Sequence, residues 1–218
     1  MQKLPVDDGA IKFNLLWESS VCHASAMYRH EIIQSVGGYD AAFATAQDYD
    51  LWARLCDVTA FANLPESLMT VRIHAASSSA QSGKEQSRLA RSVSRRMLTR
   101  YLGKALADDE VAVLRSLLCA YVSLGKNELH LALGLLDELL RFAKERESTA
   151  TLRWAKKAIV TSLVKQANYL THEDPSGSRK LLRKASAISL GRAFCLPVAV
   201  QILRLVLAKY HRRVVVPL

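Results

Sequence analysis

The chain has 218 residues, of which 50% are apolar and 23% charged, enough to bury a sizeable core and inconsistent with wholesale disorder. Its four cysteines, Cys22, Cys56, Cys119 and Cys195, form no CxxC. That excludes a zinc ribbon, a thioredoxin-type redox motif and a disulfide scaffold, and points to a reducing compartment. The net charge of +10 is unevenly spread: residues 1–78 hold five Lys/Arg against nine Asp/Glu, whereas residues 79–218 hold twenty-five against eleven. An acidic part followed by a strongly basic one predicts two units with different tasks, the second drawn to an anionic surface of lipid or nucleic acid.

The start, MQKLPVDDGA, is polar and acidic, unlike a secretory signal, and nothing near it is apolar for long enough to span a membrane. Residues 13–29, FNLLWESSVCHASAMYR, become apolar and small and predict a buried strand ending at Arg29. HEIIQSV at 30–36 predicts a short helix with Ile32, Ile33 and Val36 inward, stopped at Gly37-Gly38 because glycine accepts a positive φ. Tyr39-Asp40 opens a loop. DYDLWARLCDV predicts a helix with Asp48 near its N-terminus and Leu51, Trp52 and Leu55 on one face. Within 59–73, TAFAN and SLMTVRI predict two short extended pieces on either side of Pro65.

AASSSAQSG reads as a linker, so the expected division is residues 1–80 and residues 81–218. Everything beyond it reads as helix. Leu89, Val93 and Met97 step by four, with Arg88, Arg91 and Arg95 opposite. Asp108-Asp109-Glu110 starts a helix carrying Leu114, Leu117, Leu118 and Tyr121, which Gly125 is expected to stop. Asn127 is suited to cap the next, which buries Leu129, Ala132, Leu133, Leu136 and Leu140. Residues 150–170 form another, with Trp154, Ile159, Leu163 and Leu170. HEDPSGS breaks the pattern, and further helices run to about residue 211. The last stretch, AFCLPVAVQILRLVLAKYHRRVVVPL, is interrupted by Pro197 and Arg204 and is too short to span a bilayer; it suits a membrane surface or a final core helix.

The stretch HASAMYRHEIIQSVGGYDAAFATAQDYDLWARL, followed by ANLPE and by Arg72-x-His74, resembles the C-terminal half of the catalytic domain of family 2 glycosyltransferases. The pieces that carry the likeness are Met27-x-Arg29, the loop Gly37 to Asp40, the acidic Asp-x-Asp-Leu-Trp helix start and the closing His74. They come in the family's order over roughly residues 13–80. The resemblance implies an incomplete α/β unit of the GT-A fold, followed by an all-α region. It also implies an inverting transfer of a sugar from a nucleotide-sugar donor to a sugar or lipid-linked acceptor, as in cell-envelope polysaccharide synthesis.

The chemistry assigns roles. An acceptor hydroxyl is a poor nucleophile near neutrality, so a placed carboxylate should take its proton; by the resemblance that is Asp48, with Gln47 where the family has Glu. Gly37, Gly38, Tyr39, Asp40 and Trp52 would line the acceptor pocket, the two rings offering stacking faces. The leaving diphosphate calls for a divalent metal, Mg or Mn, which His74 would approach. Most of that metal site, with the Asp-x-Asp motif and the nucleotide-binding half, precedes this region in the family and has no counterpart here. The alternative reading is a chain without catalysis, whose basic helices serve as an interaction or membrane-docking module. Either way the expected location is cytoplasmic, peripheral on the inner face of the membrane, with nucleic acid a less fitting partner because the residues between the arginines are aliphatic and at core spacing.

Overall fold

A computed structural model describes residues 4–70, 83–120 and 122–188. Among these residues there is no β-strand, and the α/β expectation is overturned: the acidic part is built from short helices and irregular segments. Helix α1 is Asp8–Asn14, α2 His30–Ser35, α3 Gln47–Leu55, α4 Gly83–Leu102, α5 Asp108–Cys119, α6 Lys126–Arg146, α7 Thr149–Glu173 and α8 Pro175–Ile188, with a 3-10 turn at His23–Ser25.

The later part of residues 13–29, expected as a buried strand ending at Arg29, is a 3-10 turn between irregular segments, and Met27 within it is 99% exposed; only the start of that stretch lies in α1. Ala10, Ile11 and Phe13 are buried, and so are Leu15, Leu16 and Trp17, which continue in tight turns closed by Leu16 N–H to Phe13 O at 3.2 Å and Trp17 N–H to Asn14 O at 3.1 Å. A run buried on all sides carries no period that separates helix from strand. Side chains fasten the chain beyond Trp17: Asn14 Nδ2 donates to Ser20 Oγ at 2.9 Å, and Ser20 Oγ donates to Ile11 O at 3.3 Å. Residues 59–70 have no regular structure either. Phe61 N–H donates to Asp8 Oδ1 at 2.7 Å, Asn63 N–H to Val6 O at 3.2 Å, and Asn63 Nδ2 to Pro5 O and Ser20 O at 2.6 and 2.8 Å. One backbone bond is not a ladder, so Asn63 supplies with its amide what a neighbouring strand would otherwise provide.

The helices of the basic part follow the expected faces, with local differences at their ends. Leu89, Val93 and Met97 are buried on α4; Leu114, Leu117 and Leu118 on α5; Leu129, Ala132 and Leu136 on α6, where Leu133 and Leu140 are half-buried. Helix α5 ends at Cys119 with Ala120 left-handed (φ 54°), ahead of the expected stop at Gly125. Gly125 instead precedes α6 and donates its N–H to Glu128 Oε2 at 2.8 Å, so Asn127 is not the cap. The break at HEDPSGS shrinks to Asp174, whose carboxylate accepts from Ser176 N–H and Ser176 Oγ ahead of a helix that begins on Pro175. One apolar core runs from Ile11 and Trp17 through Leu51, Leu55 and Leu98 to Leu163 and Leu182, so α4 to α8 form the bed on which α1 and α3 lie. Helix α1 approaches α7 closely: a Cβ on Gly9 would lie 2.3 Å from Thr151 Oγ1. The last apolar stretch, and residues 71–82 with all of the expected linker but Gly83, lie outside the described residues.

Candidate functional site

The site is built outward from the end of α2. Gly37 (φ 80°) and Gly38 (φ 70°) both adopt the left-handed conformation that side chains resist. Gly37 N–H donates to Gln34 O at 2.9 Å and Gly38 N–H to Ile33 O at 3.0 Å, the paired closure that ends a helix and reverses the chain. The expected glycine stop is therefore present. Its carbonyls are held from α3, since Arg54 donates through Nη1 to Val36 O at 2.5 Å and through Nη2 to Gly38 O at 2.7 Å.

Arg54 is aimed by Asp50. The Asp50 side chain is 1% exposed; it accepts from Arg54 Nε at 2.8 Å and from Arg96 Nη2 of α4 at 2.7 Å. Tyr49 Oη with Ser94 Oγ at 2.9 Å is a further link between the same helices, and Arg100 pairs at 2.5 Å with Asp57, just past the end of α3. Tyr49 Oη also donates to Leu15 O at 2.8 Å. Thus α4, from the basic part, fixes α3, and α3 fixes the glycine loop.

Over α3 lies an aromatic cluster. Trp52 is buried, 2% exposed, and carries His23, 6.3 Å away between ring centroids, and Tyr28, at 6.2 Å. His23 meets Tyr39 edge to face at 5.8 Å. Tyr39, 42% exposed, keeps its phenolic proton. Its pKa is pushed up to about 12 by burial first, then by its hydrogen bond and electrostatic coupling with Tyr28 and by the nearby Asp48 carboxylate. The Nε1–H of Trp52 is buried with no acceptor among the described residues. Trp52 also lines an open cleft of about 1100 Å³, together with Cys22, Tyr28, Ile33, Phe61 and Leu64. A buried donor without a partner, set among rings at a cleft, is what a polar ligand with an apolar face requires.

Asp48 stands in the first turn of α3, partly exposed, with no hydrogen bond or ion pair among the described residues. Before it, Ala46 is left-handed (φ 58°) and buried, and Thr45 Oγ1 is buried without a partner. A non-glycine residue held there stores local strain of about 1 kcal/mol. Asp40 is exposed and accepts from Ala42 N–H at 2.9 Å, which shapes the loop after Tyr39.

The residues singled out by the sequence are therefore only partly gathered. Asp48, Tyr39 and Trp52 belong to one neighbourhood; Gly37 and Gly38 support it from the loop; Asp40 is tied into its own turn. His74 lies outside the described residues. Among the described residues no three His, Cys, Asp or Glu are grouped to hold a metal ion, and Asp50 is already engaged by two arginines. Sequence reasoning missed His23, Tyr28, Asp50, Arg54 and Arg96. Only the Asp50–Arg54 spacing of four, which places the two on one helix face, offered a signal.

Comparison with known proteins gives one distant likeness. The chain is 28% identical over 110 residues to a protein of Haemophilus influenzae named "Uncharacterized glycosyltransferase". The match spans 50% of this chain and 32% of that protein. No family model matches, and no solved structure matches.

Proposed function

We propose that the chain belongs to a glycosyltransferase, of the family 2 type by its motifs, and that the face formed by Asp48, Tyr39, His23, Tyr28 and Trp52 receives the acceptor. The observation that carries the reading is Asp48: a solvent-reachable carboxylate without a partner, beside rings and an unpartnered buried donor. The distant likeness to a protein named as a glycosyltransferase supports the reaction class. The α/β architecture is not part of the proposal.

In the proposed step, the acceptor hydroxyl attacks the anomeric carbon of the sugar, the bond from that carbon to the nucleoside diphosphate breaks, and the hydroxyl proton passes to Asp48. The acceptor's apolar ring face would rest on the aromatic cluster, with the protonated Tyr39 Oη as a donor to its oxygens. Asp48 then needs only to lie within hydrogen-bond reach of the attacking hydroxyl. The donor is a nucleotide sugar and the acceptor a sugar or lipid-linked sugar. No step here runs through a metal.

The test is release of nucleoside diphosphate from a panel of nucleotide sugars, with and without lipid-linked glycans extracted from membranes. Release that depends on acceptor supports the reading. Binding of acceptor glycans with no release, across the panel, would leave a carbohydrate-binding module in its place.

A further inference from the structure

Four of the five arginines of α4, all but Arg91, are already paired with acids. On α4, Arg88 pairs with Glu85 at 2.7 Å, Arg95 with Asp108 at 2.9 Å, Arg96 with Asp50 at 2.7 Å and Arg100 with Asp57 at 2.5 Å. More unspent charge lies elsewhere. The hairpin of α7 and α8, residues 149–188, holds eight Lys/Arg against two acids, Glu173 and Asp174, both at the connection. Arg153, Lys156, Lys157 and Lys165 on α7, and Arg179, Lys180 and Arg183 on α8, are exposed and have no ion-pair partner among the described residues. Only Lys184 is paired, with Asp137 of α6.

The spacing makes these residues stripes rather than scatter. Residues 153, 156 and 157 share one face of α7 at i, i+3 and i+4. On α8, residues 179, 180 and 183 lie opposite the buried Leu181, Leu182 and Ala185. Seven unpaired cations on two adjoining helices fall in the range that binds anionic lipid headgroups. The sequence after α8 separates lipid from nucleic acid. Residues 189–218 have five charged side chains, Arg192, Arg204, Lys209, Arg212 and Arg213, no acid, and are otherwise mainly apolar. Cations continuous with apolar residues suit the boundary between headgroups and acyl chains, where each signal strengthens the other. Nucleic acid would use the charge and leave the apolar residues without a role. Tyr169, exposed on α7 one turn beyond Lys165, has the amphipathic ring favoured at that boundary. No helix of the described residues is long and apolar enough to cross a membrane.

We infer that the solvent faces of α7 and α8 form a docking surface for an anionic bilayer. The inference does not rest on the glycosyltransferase reading. The experiment is co-sedimentation of the full chain with phosphatidylcholine vesicles, with and without phosphatidylglycerol, over a salt series. Binding is expected only with the anionic lipid and weakens with salt. The triple variant Arg179→Gln/Lys180→Gln/Arg183→Gln should bind about a hundredfold more weakly at low salt, with unchanged far-UV circular dichroism. The variant Lys84→Gln/Lys144→Gln, exposed cations of α4 and α6, should bind as the wild type does. If the triple variant misfolds, Lys156→Gln/Lys157→Gln on α7 is expected to weaken binding by about tenfold or more. No binding to anionic vesicles, equal binding to neutral ones, equal loss in the α4/α6 variant, or displacement from anionic vesicles by an oligonucleotide would each overturn the inference.

Discussion

Replacing Asp50 by alanine should be among the most damaging single changes in the acidic part. The carboxylate is 1% exposed and accepts charged hydrogen bonds at 2.8 Å from Arg54 and 2.7 Å from Arg96. A hydrogen bond to a charged group contributes about 1.5–3 kcal/mol. The arginine side chains are 25% and 48% exposed, so water recovers part of their charge once the carboxylate is gone, and the expected cost is about 3 kcal/mol rather than the full sum. For a chain of this size that lowers the melting temperature by about 6–12 °C. Urea denaturation followed by circular dichroism reads the change, with the dependence on urea unaltered. Asp50→Asn should cost about half as much, since one oxygen still accepts. The link across to α4 is tested by combining Asp50→Ala with Arg96→Met, where the two effects should fall short of adding by about 1 kcal/mol. A loss below about 0.5 kcal/mol for Asp50→Ala would refute the claim that this carboxylate anchors Arg54 and the glycine loop.

Backbone strain makes two opposite predictions. Gly37→Ala meets no neighbouring atom, so its cost is conformational alone, about 1 kcal/mol in urea denaturation; a neutral result would contradict the left-handed φ of 80°. Ala120→Gly, at the left-handed end of α5, should stabilise by up to about 1 kcal/mol, and destabilisation would contradict that cap. The tyrosines predict alkaline unfolding. Burial raises the Tyr49 and Tyr101 phenols well above the ordinary value of 10 and pushes Cys56 up to about 12. The folded state thus keeps protons that the unfolded chain has lost, and stability, full below about pH 9–10, declines as pH rises toward 12 and beyond. Tyr49 absorbance should ionise only as helical dichroism is lost, and complete phenol titration near pH 10 in a folded protein would contradict its burial.

The legibility of each element depends on the period of its burial. Helices α4 to α7 each bury one stripe, and Leu89, Val93 and Met97, or Ile159 and Leu163, mark it without help. Residues 10–17 are buried nearly all round, and there the spacing that separates helix from strand disappears; the strand expected in the later part of 13–29 fails for another reason, since small and apolar residues there stay largely exposed in an irregular segment. The site is half legible. Asp48, Tyr39 and Trp52 stand in one stretch and carry their own signals. His23 and Tyr28 reach Trp52 from segments whose path no local pattern sets, and Arg96 reaches Asp50 from 46 residues away. Free charge misleads for a related reason: Arg95, Arg96 and Arg100 of α4 are paired with acids from other parts of the chain, Asp108, Asp50 and Asp57.

Asp48 is proposed as the group that takes the acceptor's proton. The most direct measurement is acceptor-dependent nucleoside diphosphate release by the wild type, Asp48→Asn and Glu31→Gln, an exposed carboxylate of α2. The account predicts a fall of about 10²–10⁴ in turnover for Asp48→Asn with acceptor binding kept, and wild-type turnover for Glu31→Gln. Wild-type turnover in Asp48→Asn would contradict it.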